Sequence, residues 1–284
     1  MKQHGKSSLS LLAPPYRHIL PVPPEEAFPN DKKLLWGAAL IWHIQGGDET
    51  ANLAVVRSRP ASLPLMVILP TAARVQQHAD LLLQVTESAR PSVVLPHHSE
   101  PDPEELSGYL SDVPTNFAVE LVEYLRWRKI HMTSETRHTI MKICELAEYT
   151  TTLSGLCRSL YVSRRALGRR FRNAGLPVPS HWLQFCRLLH ASLRLQNSGG
   201  TLFEISRRFN YADGFTLSNQ MYRLTGLRPS IVRAKLGWEW IVEAWLEAER
   251  ASGKLSIPPT QQGTNDFQEA WRRPRLCDGR ALVR

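Results

Sequence analysis

The chain has 284 residues, 43% of them hydrophobic and 21% charged, with a formal net charge of +9. That balance excludes a disordered polymer and allows two domains with separate cores, while no apolar run nears the roughly 18 residues needed to cross a bilayer. The charge is uneven: Thr151 to Lys235 carries 14 Lys and Arg against two acids, Glu204 and Asp213, which leaves the remainder slightly acidic.

Residues 1–30 contain Pro14, Pro15, Pro21, Pro23, Pro24 and Pro29 and read as an extended, proline-rich arm with no core of its own. The apolar stretch Leu9–Ala13 is too short for a secretory signal, so the expected compartment is the cytoplasm. From Leu34 the pattern changes to short apolar runs bounded by Pro, Gly and polar residues. Gly37–Ile44, Leu53–Val56, Leu65–Leu69 and Ser92–Leu95 are predicted as buried strands. Thr71–Ser88 has helical spacing through Val75, Ala79, Leu82 and Leu83, and with its flanking strands predicts a parallel crossover. Further helices are predicted at Pro103–Leu110 and Thr115–Lys129. Residues 31–130 are thus expected to form a small α/β domain.

Residues 131–250 show helical signals only and are predicted to be an all-α domain containing two helix-turn-helix units. In the first unit Thr152 caps a short helix with Leu153, Leu156, Cys157 and Leu160 inward, and Leu160-Tyr161-Val162 makes the turn. Ser163 caps the second helix, which Leu167 and Phe171 anchor and Gly175 ends. Arg165, Gly168, Arg169 and Arg172 then share the outward stripe, flanked by Arg164. Five arginines within Arg164–Arg172 suit a helix that enters a DNA groove, because the arginine fork pairs with guanine O6 and N7. Arg165 and Arg169 are the expected base readers. Arg164, Arg170 and Arg172 are better suited to the phosphate backbone, with Ser163 and Gly168 on the same surface.

The second unit follows Gly199-Gly200. Thr201 and Glu204 form a capping box, Ile205 and Phe209 face inward, and Asn210-Tyr211-Ala212 turns. Asp213 caps a helix anchored by Leu217, Met221 and Leu224 and closed by Gly226. Its outward residues are Phe215, Thr216, Asn219, Gln220 and Arg223, suited either to adenine and thymine edges or to steadying the complex on the backbone. Thr152, Arg170, Arg187, Thr201 and Arg228 are the expected further backbone contacts. Ser180–Asn197 is predicted as the helix joining the units, and Trp238, Ile241, Val242, Trp245 and Leu246 as a terminal amphipathic stripe belonging to the core. Residues 251–284 are expected to be a flexible tail.

Two such units in this order, with Phe209-Asn210-Tyr211-Ala212-Asp213 and Gly226-Leu227-Arg228-Pro229-Ser230 in the second, resemble the DNA-binding domain of AraC-family bacterial transcription regulators. The resemblance spans about Ser134 to Arg233. It implies a sequence-specific regulator that places two helices in successive major-groove segments, with double-stranded DNA and RNA polymerase as partners. Tyr161 and Asn210 stand where the family favours glycine, so the first turn is expected to be strained or differently wound. Asn219 stands where the family favours arginine, which shifts the expected specificity to the first unit. In the N-terminal half, Leu65–Ala72 and Val93–Pro96 resemble late strands of a receiver domain, without its paired acids. That half is expected to sense an effector or protein partner; the alternative is a pseudo-receiver signalling protein in which DNA binding is secondary.

The sequence shows no phosphate-cradling glycine loop, no nucleophile elbow and no Cys-x-x-Cys, so no enzyme, cofactor or metal is expected. His97-His98-Ser99-Glu100 reads as a surface loop. Cys144, Cys157 and Cys186 read as small core hydrophobes in a reducing compartment.

Overall fold

The structure, a computed structural model, describes residues 8–22, 28–29, 31–44, 49–72, 79–97 and 101–255. Five strands form one sheet in the order β2-β1-β3-β4-β5: β1 is Leu9–Leu12, β2 Ile19–Pro21, β3 Ala39–His43, β4 Leu65–Ile68 and β5 Val93–Leu95. β3, β4 and β5 run parallel, whereas β1 is antiparallel to both of its neighbours, with Leu11 opposite Leu20 and Leu40. A hairpin therefore joins β1 to β2. Its connection is shorter than the dozen or so residues a parallel crossover needs, so the sheet departs from the all-parallel arrangement a receiver would have.

Residues 9–21 correct the expectation of an arm. Leu9, Leu11 and Leu12 are fully buried in the sheet. Of the prolines that suggested an arm, Pro14 and Pro15 lie in the connection and Pro21 on the edge strand β2, where a sheet tolerates them, while Pro23 and Pro24 lie outside the described residues. The second correction concerns Leu53–Val56, expected as a strand. These residues lie in α1, Thr50–Ser58, where the β-branched pair Val55-Val56 packs on the sheet. Tertiary burial overrides their strand preference.

Both sheet faces are covered, which is why the strands read as unbroken apolar runs. Leu40, Trp42, Leu65 and Val67 pack with α1 and with α2, Ala79–Ala89. Ala39, Ile41, Met66 and Ile68 pack with α3, Pro103–Ser111. The expected crossover between β4 and β5 is present in the parallel pairing of those strands.

The helical half comprises α4 Phe117–Trp127, α5 Ser134–Leu146, α6 Leu153–Ser159, α7 Arg164–Asn173, α8 Pro179–Asn197, α9 Leu202–Arg208, α10 Gly214–Thr225, α11 Pro229–Arg233 and α12 Glu239–Ala251. Although α4 falls in the segment expected to end the α/β domain at residue 130, its buried residues Phe117, Leu121, Tyr124 and Leu125 join the helical core. That core is centred on α8. Trp245 of α12 stacks on Phe185 with centroids 4.0 Å apart and meets Trp182 edge-on at 4.6 Å, so the terminal stripe is core.

The sheet and the helical core share contacts through α12 and the segment before it. Tyr16 Oη accepts from Leu236 N and donates to Gly37 O, both at 2.6 Å. Ser92 Oγ donates to Glu239 Oε1 at 3.1 Å, Arg90 lies 3.8 Å from the same carboxylate, and Trp36 meets Trp240 at 5.8 Å. Among the described residues no helix is long and apolar enough to cross a membrane.

Candidate nucleic-acid interface

Both units are built by the same local devices. Thr152 Oγ1 accepts from Gly155 N at 3.1 Å and Ser163 Oγ from Ala166 N at 3.1 Å, so α6 and α7 are each capped. Thr201 and Glu204 form the reciprocal capping box on α9, and Asp213 accepts from Thr216 N at 2.7 Å on α10. The turns match as well. Tyr161 N donates to Arg158 O and Val162 N to Cys157 O; Asn210 N donates to Arg207 O and Tyr211 N to Ser206 O. These paired bonds make a Schellman ending, whose key residue takes the left-handed conformation. Tyr161 has φ +53° and Asn210 φ +57°. Asparagine tolerates that region; an ordinary side chain such as tyrosine is strained there.

The five arginines of α7 divide into two groups. Arg164 Nη2 donates to Ser154 Oγ, and Arg170 is held by Glu135 and, at 2.8 Å, by Thr139 Oγ1 of α5. Arg165, Arg169 and Arg172 have no ion pair or hydrogen-bonded side-chain partner among the described residues, and all three are exposed. Their spacing of four and three puts them on one stripe. Arg170, one of the expected backbone contacts, here fastens α7 to α5 through its guanidinium.

Arg187, also expected at the backbone, is likewise engaged within the protein. It lies on α8 only 9% exposed, its guanidinium 4.7 Å from the ring centroid of Tyr211. A long cation on an otherwise apolar face is drawn onto an aromatic ring, and here it buttresses the second turn instead of reaching solvent. Arg228 is exposed and stacks over Tyr222 at 4.2 Å, while Thr152 and Thr201 are exposed at their helix ends.

On α10, Phe215 is 74% exposed, and Thr216, Asn219 and Arg223 are exposed beside half-buried Gln220. Gln220 Nε2 donates to Gln184 Oε1 at 3.3 Å and Arg223 Nη2 to the same oxygen at 3.4 Å. Gln184 of α8 thus ties the joining helix to the second unit. The sequence reading missed it, because one glutamine on a long helix carries no pattern of its own.

Away from this surface, Cys144 Sγ lies 3.7 Å from His190 Nε2, and His190 Nδ1 lies 3.3 Å from Glu148. The order of groups is that of an activated thiol, but Cys144 is wholly buried in the core, as are Cys186 and most of Cys157. His97 is exposed; His98, Ser99 and Glu100 lie outside the described residues. Among the described residues no three His, Cys, Asp or Glu are placed to hold a metal ion.

Residues 156–235 match a family model described as a helix-turn-helix domain, of the AraC type. The match starts within α6 and ends just beyond α11, covering the first unit from the middle of α6, the helix between the units and the whole second unit. The helical half therefore carries an AraC-type DNA-binding domain, and the chain is a DNA-binding transcription regulator. Comparison with curated proteins and with solved structures gives no match.

Proposed function

We propose that this regulator reads double-stranded DNA with both α7 and α10, and that the N-terminal α/β domain governs the reading through α12. The observation that carries it is the partition of the α7 arginines: the fold ties down two and leaves Arg165, Arg169 and Arg172 free on one exposed stripe. Arg165 and Arg169 read guanines, and Arg172 meets the backbone. Phe215 and Asn219 hold the same register on α10 and suit a thymine methyl and an adenine. The first unit carries more of the affinity and the second refines the sequence. An effector or protein partner acts on the sheet domain, and RNA polymerase is the machinery regulated.

Selecting duplexes from a random pool with the full chain, then titrating the winner against salt, tests this. Affinity should fall by about 10³–10⁵ between 50 and 200 mM salt if six to ten phosphates are neutralised. A selected site with one conserved block instead of two, about a helical turn apart, would remove α10 from the reading.

A further inference from the structure

Gly168 sits in the middle of α7, between Arg165 and Arg169, and nothing in the fold requires a glycine there. Its φ is not positive, and a Cβ built on it meets no atom within 4 Å. Several other glycines have visible reasons, whereas Gly108 of α3 is open like Gly168 but has no stripe of unpaired arginines beside it. A Cβ on Gly37 would lie 2.6 Å from Lys235 Cβ, and one on Gly214 3.2 Å from Leu202, while Gly175 and Gly226 end helices at positive φ. Glycine inside a helix is destabilising because the unfolded chain has more freedom to lose, so alanine would serve this helix better. A residue that weakens its own helix without helping any neighbour fits a surface that something else must approach.

We propose that Gly168 is where the backbone of α7 touches the duplex: the missing Cβ lets the helix seat deeply enough for Arg165 and Arg169 to reach base edges together. This rests on the reading of α7 as a groove-entering helix. The flanking charge supports DNA as the occupant, since Gly168 lies beside the stripe of Arg165, Arg169 and Arg172. The corresponding residue of the second unit is Ser218, so α10 has no such gap and seats less deeply.

The test uses full-length Gly168→Ala and Gly168→Leu on the duplex selected by the wild-type chain, with Gly108→Ala as the matched control. Gly108 lies in α3, also with no atom within 4 Å of a built Cβ. All three variants place a better helix former in an open helical position, so each should raise the Tm, by about 2–4 °C. Gly108→Ala should bind as wild type. Gly168→Ala should lose at least about tenfold on the selected duplex and Gly168→Leu more, with much smaller losses on random DNA. Unchanged affinity in both Gly168 variants, beside a loss in Arg165→Ala, would overturn the close approach while leaving base reading by α7 intact. Unchanged affinity in Arg165→Ala and Arg169→Ala as well would overturn that reading and the proposal with it. A fall in Tm for Gly168→Ala would also overturn it, by showing that the fold itself needs the glycine.

Discussion

Arg128 grips Glu243 through two bonds, Nε to Oε1 at 2.6 Å and Nη2 to Oε2 at 2.9 Å, across 115 residues of chain. Both side chains are buried, and Tyr124 Oη adds a third bond to the same carboxylate at 2.8 Å. Burial alone would pull the Arg128 guanidinium down, but hydrogen bonding and charge from Glu243 carry it upward instead. The pair fixes the end of α4 to α12, and α12 stacks on α8 through Trp245. The end of α4 is thus tied through α12 to the helix that joins the two units.

Removing one partner of this pair should cost far more than the pair is worth. Arg128→Met leaves a carboxylate buried with only a tyrosine, and the expected loss is about 3–5 kcal/mol. Replacing both, Arg128→Met with Glu243→Leu, should recover most of it, since two apolar groups of similar size fill the space without desolvating charge. Urea unfolding of the two single variants and the double measures this. If the double were no more stable than Arg128→Met, the pair would not be acting as a unit.

Tyr161 is left-handed and its ring is 96% exposed, so replacing it relieves the backbone without emptying a cavity. Tyr161→Gly removes a conformational cost of about 1–2 kcal/mol and adds back about 0.4–1 kcal/mol of chain entropy in the unfolded state. The net expectation is a small gain in stability, seen as a higher urea midpoint with an unchanged slope. Asn210→Gly should gain less, because asparagine already tolerates that region. A lower midpoint for Tyr161→Gly would mean that the ring contributes contacts its exposure does not suggest.

The two units should respond differently to acid. Glu204 is held below the ordinary carboxylate range by the hydrogen bond from Thr201 N, and Asp213 by that from Thr216 N. A depressed carboxylate contributes stability that is fully present above its unfolded-state value and is lost as pH falls through the folded one, here below the ordinary carboxylate range. Thr152 and Ser163, which cap the first unit, do not titrate. Hydrogen exchange between about pH 5 and about pH 2 should therefore show the starts of α9 and α10 losing protection before those of α6 and α7. Glu204→Gln and Asp213→Asn should flatten the difference. Equal loss in both units would remove the caps as its cause.

What could be read in advance was local. Ser163, Thr201 and Asp213 announce helix starts three residues before the amides they bind, Glu204 reaches back to the Thr201 amide, and Gly175 and Gly226 announce ends, so the helices of both units were visible from short windows. The misreadings were non-local. Leu9–Leu12 looked like part of an arm because its partner strand β3 lies some thirty residues away, and Leu53–Val56 looked like a strand because its helical face is defined only by the sheet beneath it. Arg170 and Arg187 have the composition of phosphate contacts, yet Glu135 and Tyr211, far off in sequence, claim them. Charge can be counted along a chain, but only packing decides which cations remain available.

That distinction separates three arginines of α7 in the laboratory. Arg165→Ala should cost about 1–3 kcal/mol on the selected duplex and little on random DNA, with stability unchanged, because its side chain is exposed and unpaired within the protein. Arg172→Ala should weaken both duplexes alike and reduce the slope of log affinity against log salt by about one, the signature of a lost phosphate contact. Arg170→Ala should leave that slope unchanged and instead lower the Tm, because it frees α7 from Glu135 and Thr139; the pair is partly exposed, so the loss stays near about 1 kcal/mol or less. Gel shifts at four or five salt concentrations, paired with thermal melts, give all three signatures. A salt-slope change in Arg170→Ala equal to that in Arg172→Ala would show that Arg170 leaves Glu135 when DNA is bound, and that the free conformation conceals a fourth contact.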